Sequence, residues 1–417
     1  MDRRISLGGV LMALALLAAG CAGSTPGGGE LVWAIGGAEA RPGGVHRDTV
    51  EIWNQLHPNG PKVRIETLPE SADDQRQQMR LELDAQSPDF DILGLDVIWT
   101  GEFAENGWLE SLEELRPQVE EVSLPGPLQS ASWGGTLWAV PYSSNAGLLY
   151  YRTDLVDQPP RTWDELMEVG LAAGQRAGIA PFVGQGAQYE GMVVNFLELY
   201  WGAGGELFNP DGTQVLFDDA LALQAVGVMQ RALSSGFYAP GFNTMMEDDA
   251  RNAFQAGNAV FMRNWPYAYS RMTGEDPANP SAVAGRFAVA PLPTFTGDGT
   301  VSALGGFNLG VSRFSDNVEA AKQFVRFAST NPDVQRNLGV YSVPPTLASV
   351  YQDLAADPVM AQLRRILPDA KPRPPAPNWN AISEEIQRQV FPAYNGQRDP
   401  GEAIAAIRAF LEATLSR

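Results

Sequence analysis

The sequence predicts an α/β protein built as two lobes. Short apolar runs that read as strands alternate with segments of helical periodicity, the order expected of a largely parallel sheet covered by helices. The chain has 417 residues, 44% of them hydrophobic, with ten tryptophans, which is enough material for two packed cores.

Residues 31–35 form the first apolar strand. Val45, Thr49, Ile52, Trp53 and Leu56 then recur at helical spacing, and Pro58-Asn59-Gly60 ends that helix. Residues 62–68 alternate as a strand does, 76–83 read as a helix and 90–95 as a buried strand. Residues 137–142 and 148–152 read as two strands around 143–147. Thr162-Trp163-Asp164-Glu165 is a capping box that opens a helix, with Thr162 as cap and Glu165 reaching back to a free N–H. Further strands are expected at 259–265, 287–291 and 307–311, and Ile404, Ile407, Leu411 and Leu415 stripe a last helix. No short-period repeat is present, and the pattern alone leaves the assignment of strands to lobes open.

The first twenty residues join Arg3-Arg4 to an apolar run over 7–19, the shape of a bacterial export signal too short to span a membrane. The segment Leu17-Ala18-Ala19-Gly20-Cys21 is similar to a lipobox, in which Cys21 is acylated and becomes the mature N-terminus. Its Leu falls one place earlier than the usual pattern, and a plain secretory signal is the other reading. Cys21 is the only cysteine, so it has no internal disulfide partner, whereas lipidation gives it a use. Residues 21–29 are small and Gly-rich, a flexible tether.

The net charge of −20 disfavours nucleic acid and anionic lipid as partners. Two histidines and one cysteine offer no zinc spacing, and no phosphate-binding Gly-x-x-x-x-Gly-Lys-Ser/Thr string occurs. No cofactor and no metal are expected.

Several strings share one pattern. Gly36-Gly37-Ala38 follows the first strand, and Leu95-Asp96-Val97-Ile98-Trp99 precedes Glu102-Phe103-Ala104-Glu105-Asn106-Gly107-Trp108-Leu109. Gly147-Leu148-Leu149-Tyr150-Tyr151-Arg152, Gln188-Tyr189-Glu190-Gly191 and Asn264-Trp265-Pro266-Tyr267-Ala268 come next. Ala290-Pro291-Leu292-Pro293, Leu304-Gly305-Gly306 and Pro372-Arg373-Pro374 complete the set. In number and order these strings resemble the extracellular solute-binding proteins of sugar ABC importers, of the maltodextrin-binding type. Within that family the chain is most similar to trehalose/maltose-binding lipoproteins, from about residue 31 to the C-terminus. The resemblance implies the two-lobe periplasmic-binding-protein fold, with an interlobe ligand cleft and hinge crossovers. Lobe one is expected at 30–143 plus 298–330, and lobe two at 144–297 plus 331–417. It also implies a membrane-tethered monomer outside the cytoplasm, which closes on a sugar and docks on a permease served by a cytoplasmic ATPase.

A pyranose needs planar hydrogen-bonding groups for its hydroxyls and aromatic rings for its flat face. Asp96 leaves the third strand at its carboxyl end, the edge where open α/β sheets bind ligands, and the resemblance makes it a sugar contact. Its other reading is a cap for the segment starting at Trp99. By resemblance Arg76 contacts sugar or orients Asp96, although an Arg in a charged helix is usually solvated. Asn145 stands where archaeal relatives carry Asp. Trp265 and Tyr267 alternate around Pro266 and could floor a subsite, with core packing as the alternative. Gly306-Phe307 corresponds to a Gly-Trp contact pair, so Phe keeps the apolar face and loses an indole donor. Prolines flank Arg373 and stiffen its backbone, either against the cleft or as a surface linker. Tyr189, Glu190, Glu247 and Trp379 are second-rank candidates. Glu39 is the weakest, because it comes earlier than the family's contacting Glu and Arg41-Pro42 occupy the expected place.

The expected function is capture of an α-linked disaccharide, trehalose or maltose ahead of sucrose. A secreted glycoside hydrolase would need paired carboxylates across a scissile bond, which so acidic a chain could also supply. A structural or adhesive lipoprotein is the third reading.

Overall fold

Apolar residues on both faces suit β1 (Glu30–Gly36) to the inside of a sheet, and every residue after Glu30 is buried. It pairs in parallel with β2 (Lys62–Leu68) and β3 (Ile92–Asp96). The computed structural model describes residues 29–37, 39–209, 212–275, 280–374 and 378–415. The export signal, Cys21 and the tether up to residue 28 lie outside the described residues.

A small hairpin, β4 (Ser132–Trp133) and β5 (Thr136–Leu137), precedes β6 (Ala139–Ala146). Only Gly147 separates β6, in the first sheet, from β7 (Leu148–Arg152), in the second. There β7 lies antiparallel between β9 (Ala259–Asn264) and β10 (Phe287–Ala290), while β8 (Ala180–Val183) runs parallel to β9. The second sheet therefore has the order β10-β7-β9-β8. The chain returns to the first sheet as β11 (Ala303–Val311), antiparallel to β3 on one edge and β6 on the other. β12 (Lys371–Pro372) pairs with the first residues of β11, giving the order β12-β11-β3-β1-β2 with β6 beside β11.

Most expected elements stand where the periodicity puts them, with two instructive differences. Residues 143–146, expected between strands, continue β6, because Ser144 and Asn145 stay in register with Gly306 and Gly305 of β11. The helix expected at 76–83 runs Ala72–Asp84, with the Ser71 hydroxyl accepting from the Asp74 amide. The expected capping box forms only in half: Thr162 Oγ1 accepts from the Glu165 amide at 3.1 Å, but the Glu165 carboxylate accepts from the Arg161 amide, one residue before the cap, at 2.8 Å.

The first sheet packs around Trp33, which is fully buried with Tyr142 and Phe324 edge-on at 5.6 Å each. Each such side chain contributes roughly 1.5–3 kcal/mol of burial energy. Helices Glu190–Gly202, Asp219–Ser234, Trp379–Tyr394 and Pro400–Leu415 pack on one another. Among the described residues, no helix is long and apolar enough to cross a membrane.

Candidate ligand-binding cleft

The first sheet and the segment that follows β9 of the second line a cavity of about 1180 Å³, counted with its open mouth. One wall carries Asp96 at the carboxyl end of β3, Asn145 of β6, and Gly306 and Phe307 of β11. Asp96 Oδ1 accepts from the Ile98 amide at 3.2 Å and from Arg373 Nη2 at 2.9 Å. Asp96 thus closes a turn at Ile98 and does not cap the helix Thr100–Glu105, whose N-cap Trp99 has no side-chain cap bond.

Arg373 joins the walls. Its Nη1 donates to Glu190 Oε1 at 2.7 Å while Nη2 holds Asp96, and the residue is 3% exposed. Burial works against the guanidinium charge, but Asp96 and then Glu190 outweigh it and hold the group above its ordinary range. Glu190 opens the helix Glu190–Gly202. Burial pushes its carboxyl up to about 7 against the pull of Arg373. Arg373, the Trp379 indole N–H and the Ser383 hydroxyl all donate to this one carboxyl, so the carboxylate is the form its surroundings are built to receive.

The facing wall follows β9. The Trp265 indole N–H reaches Glu247 Oε1 at 3.4 Å, and the Trp265 carbonyl accepts from Tyr150 Oη at 2.8 Å. The Arg263 guanidinium lies 4.1 Å from the ring centroid. It covers one face of the indole, and the Trp265 side chain lines the cavity. Tyr189 Oη donates to Glu247 Oε2 at 2.6 Å, and Tyr267 Oη donates to Asp248 Oδ1 at 2.9 Å. Burial raises both phenols well above their ordinary range, so they stay protonated donors.

Gly306 is required by its backbone. Its φ is +127°, and a Cβ there would lie 2.2 Å from the Ser143 carbonyl oxygen. This lets β11 pass close to β6 just before the ladder shifts register between Phe307 and Asn308.

Glu39 also lines the cavity, and burial pushes its carboxyl up to about 7, with Glu247 adding to the shift and Arg41 opposing it. Arg41 pairs with Asp248, tying the loop after β1 to the helix Glu247–Gln255.

Eleven of the thirteen expected ligand residues line this cavity, and Arg76 and Trp379 do not. Arg76 is committed to Glu102, with Nε to Oε2 at 2.8 Å and Nη2 to Oε1 at 2.5 Å, and Arg373 is the guanidinium that holds Asp96. Trp379 is fully buried behind Glu190 and donates to it at 3.2 Å.

Sequence reasoning missed Gly44, His46, Ser270, Arg271 and Tyr341, which also line the cavity. Gly44 and His46 belong to the start of the helix Val45–Leu56, the segment that follows the carboxyl end of β1. Ser270 and Arg271 lie three and four positions past Tyr267, a helical spacing that could have flagged them. Tyr341 carried no local signal. Burial holds His46 down to about 3, so its imidazole is neutral. Among the described residues no group of three His, Cys, Asp or Glu is placed to share a metal ion.

The cleft thus combines carboxylates, a guanidinium, an amide and phenol donors with aromatic faces. That chemistry suits a neutral polyhydroxylated molecule better than an ion or an apolar one.

Residues 31–335 match the family model described as bacterial extracellular solute-binding protein. A probable ABC transporter-binding protein of Deinococcus radiodurans is 33% identical over 371 residues, 84% of this chain and 86% of that one. A maltotriose-binding protein of Pyrococcus abyssi is 25% identical, over 82% of this chain and 76% of its own. The maltose-bound structure of T. maritima MalE3 is 35% identical with a TM-score of 0.85, covering 92% of this chain and 99% of that one. This chain belongs to the bacterial extracellular solute-binding proteins, with the two-lobe fold of that family.

Proposed function

We propose that this protein is the substrate-binding component of an ABC sugar importer and captures an α-linked disaccharide, trehalose or maltose ahead of sucrose. The observation that carries the reading is that Trp265, whose ring is covered by Arg263 on one face, lines the same cavity as the polar groups of Asp96, Asn145 and Arg373. The likeness to a maltose-bound structure and to a maltotriose-binding protein supports an α-glucoside.

Sugar in the cleft touches both walls only when the lobes are closed, so binding favours closure. The strand order supports a division near 30–143 plus 298–330 and 144–297 plus 331–417, except that residues 144–146 stay in β6 of the first sheet and β12 returns to it. A lipid on Cys21 holds the mature monomer at the extracytoplasmic face of the cell membrane, where it hands sugar to the permease.

Calorimetric titration of trehalose, maltose, sucrose, maltotriose and glucose into the chain from Ala22 onward tests this, with product analysis alongside. Binding without turnover is expected. Release of glucose from a disaccharide would make the protein a glycoside hydrolase, and no binding of any sugar would overturn the reading.

A further inference from the structure

Glu198 and Arg263 form an ion pair in which both side chains are 2% exposed. Arg263, on β9, meets Glu198 through Nε at 2.9 Å and Nη2 at 2.6 Å, and Gln185 Oε1 accepts from its Nη1 at 3.2 Å. A buried ion pair is a poor device for stability alone, because desolvation offsets most of the attraction.

Three features converge on this pair. At the first sheet crossing, a Cβ on Gly147 would lie 2.4 Å from Glu198 Oε1 and 2.6 Å from Arg263 Nη2. At the second, the Ala303 amide donates to Glu198 Oε1 at 3.1 Å, and Ser302 Oγ donates to the Gly147 carbonyl at 2.8 Å. The third feature is Trp265, whose ring carries the Arg263 guanidinium 4.1 Å from its centroid. The rim of the same ring would lie 3.2 Å from a Cβ on Gly305 of β11.

We propose that Glu198 and Arg263 are positioning residues that clamp both sheet crossings and the back of Trp265 into one rigid unit, so that sugar stacking on Trp265 and closure of the cleft occur as a single event. Glu198 fixes the second crossing through a backbone amide and leaves room for the first only because residue 147 lacks a side chain. Arg263 fixes the orientation of the indole from the face that sugar does not use. The inference rests on the sugar-binding reading.

The test uses the chain from Ala22 onward, which carries every described element. Arg263→Lys keeps the charge and loses the planar fork, and Glu198→Gln keeps the shape and loses the charge. The double variant Glu198→Leu/Arg263→Met replaces the pair by apolar side chains. Each is titrated with maltose and trehalose, and its scattering is recorded with and without sugar. We expect the single variants to lose tenfold or more in affinity and to compact less on adding sugar. The double variant should recover melting temperature without recovering affinity or compaction. A double variant that binds and closes like the wild type would overturn the clamp, because the pair would then serve stability alone. Amide exchange at Ala303 of the wild type decides the matter should the variants not fold. Slow exchange with and without sugar supports the clamp, and fast exchange in either state overturns it. A wild type that binds neither sugar contradicts the sugar-binding reading itself, whereas a wild type matched by all variants contradicts only the clamp.

Discussion

Arg373 and Asp96 stand 277 positions apart in sequence and meet in the cleft, Nη2 to Oδ1 at 2.9 Å. Through its other terminal nitrogen Arg373 also holds Glu190, so one guanidinium links the end of β3 to the start of the helix Glu190–Gly202. Under the proposed function the other oxygen of Asp96, Oδ2, receives ligand hydroxyls.

Asp96→Ala should weaken trehalose or maltose binding about ten- to hundredfold, the worth of a hydrogen bond to a charged acceptor, ~1.5–3 kcal/mol. Calorimetry gives the affinity, and apo melting temperature checks the fold. Normal binding by an early-melting variant would reduce Asp96 to its turn-capping role at Ile98.

Trp265→Ala should cost at least as much affinity, by removing stacking area, and Trp265→Phe should recover part of it. Equal affinities for Ala, Phe and Trp at this position would place the sugar elsewhere.

The strands and the helix Val45–Leu56 were legible because their period is local, and Asp96 was legible because it ends an apolar strand. The Arg373–Asp96 contact was not, since no local pattern links residues so far apart. Arg76 illustrates the cost: in a charged helix nothing distinguished an arginine bound for the cleft from one bound for Glu102, which lies 26 positions on. Trp379 is the converse case. It supports the site through Glu190 from inside the core, and a tryptophan beside a Pro-rich loop carries no mark of which side it will take. The change of sheet was expected at 143–144 only from the resemblance and falls at Gly147, because locally β6 and β7 read as two ordinary neighbouring strands.

Gly306→Ala should destabilise the protein by about 2 kcal/mol or more, combining an unfavourable positive φ with a clash against the Ser143 carbonyl. The urea midpoint measures it. An unchanged midpoint would mean that β11 and β6 are not so closely crossed.

Glu39 gives a pH signature. Its folded carboxyl titrates at about 7 against a usual value of 4.5, so the native state holds the extra proton between those limits. Stability from this group is present below about pH 4.5 and lost as pH rises through 7. His46 acts oppositely, since its folded value of about 3 against 6.5 removes stability as pH falls through that window. The difference between wild type and Glu39→Gln isolates the first effect. That difference should change between pH 4.5 and 7, and a constant difference would deny the raised carboxyl.

Cys21→Ser should abolish acylation and release the protein from the membrane. Retention of the variant at the membrane with unchanged acyl labelling would rule out the lipobox.

A crystal structure of the chain from Ala22 onward, grown with saturating trehalose or maltose, tests the central claim most directly. The account predicts one disaccharide between the sheets, a ring stacked on the face of Trp265 away from Arg263 and hydroxyls bonded to Asp96. A cleft empty at saturating sugar, or sugar bound away from Trp265 and Asp96, would contradict it.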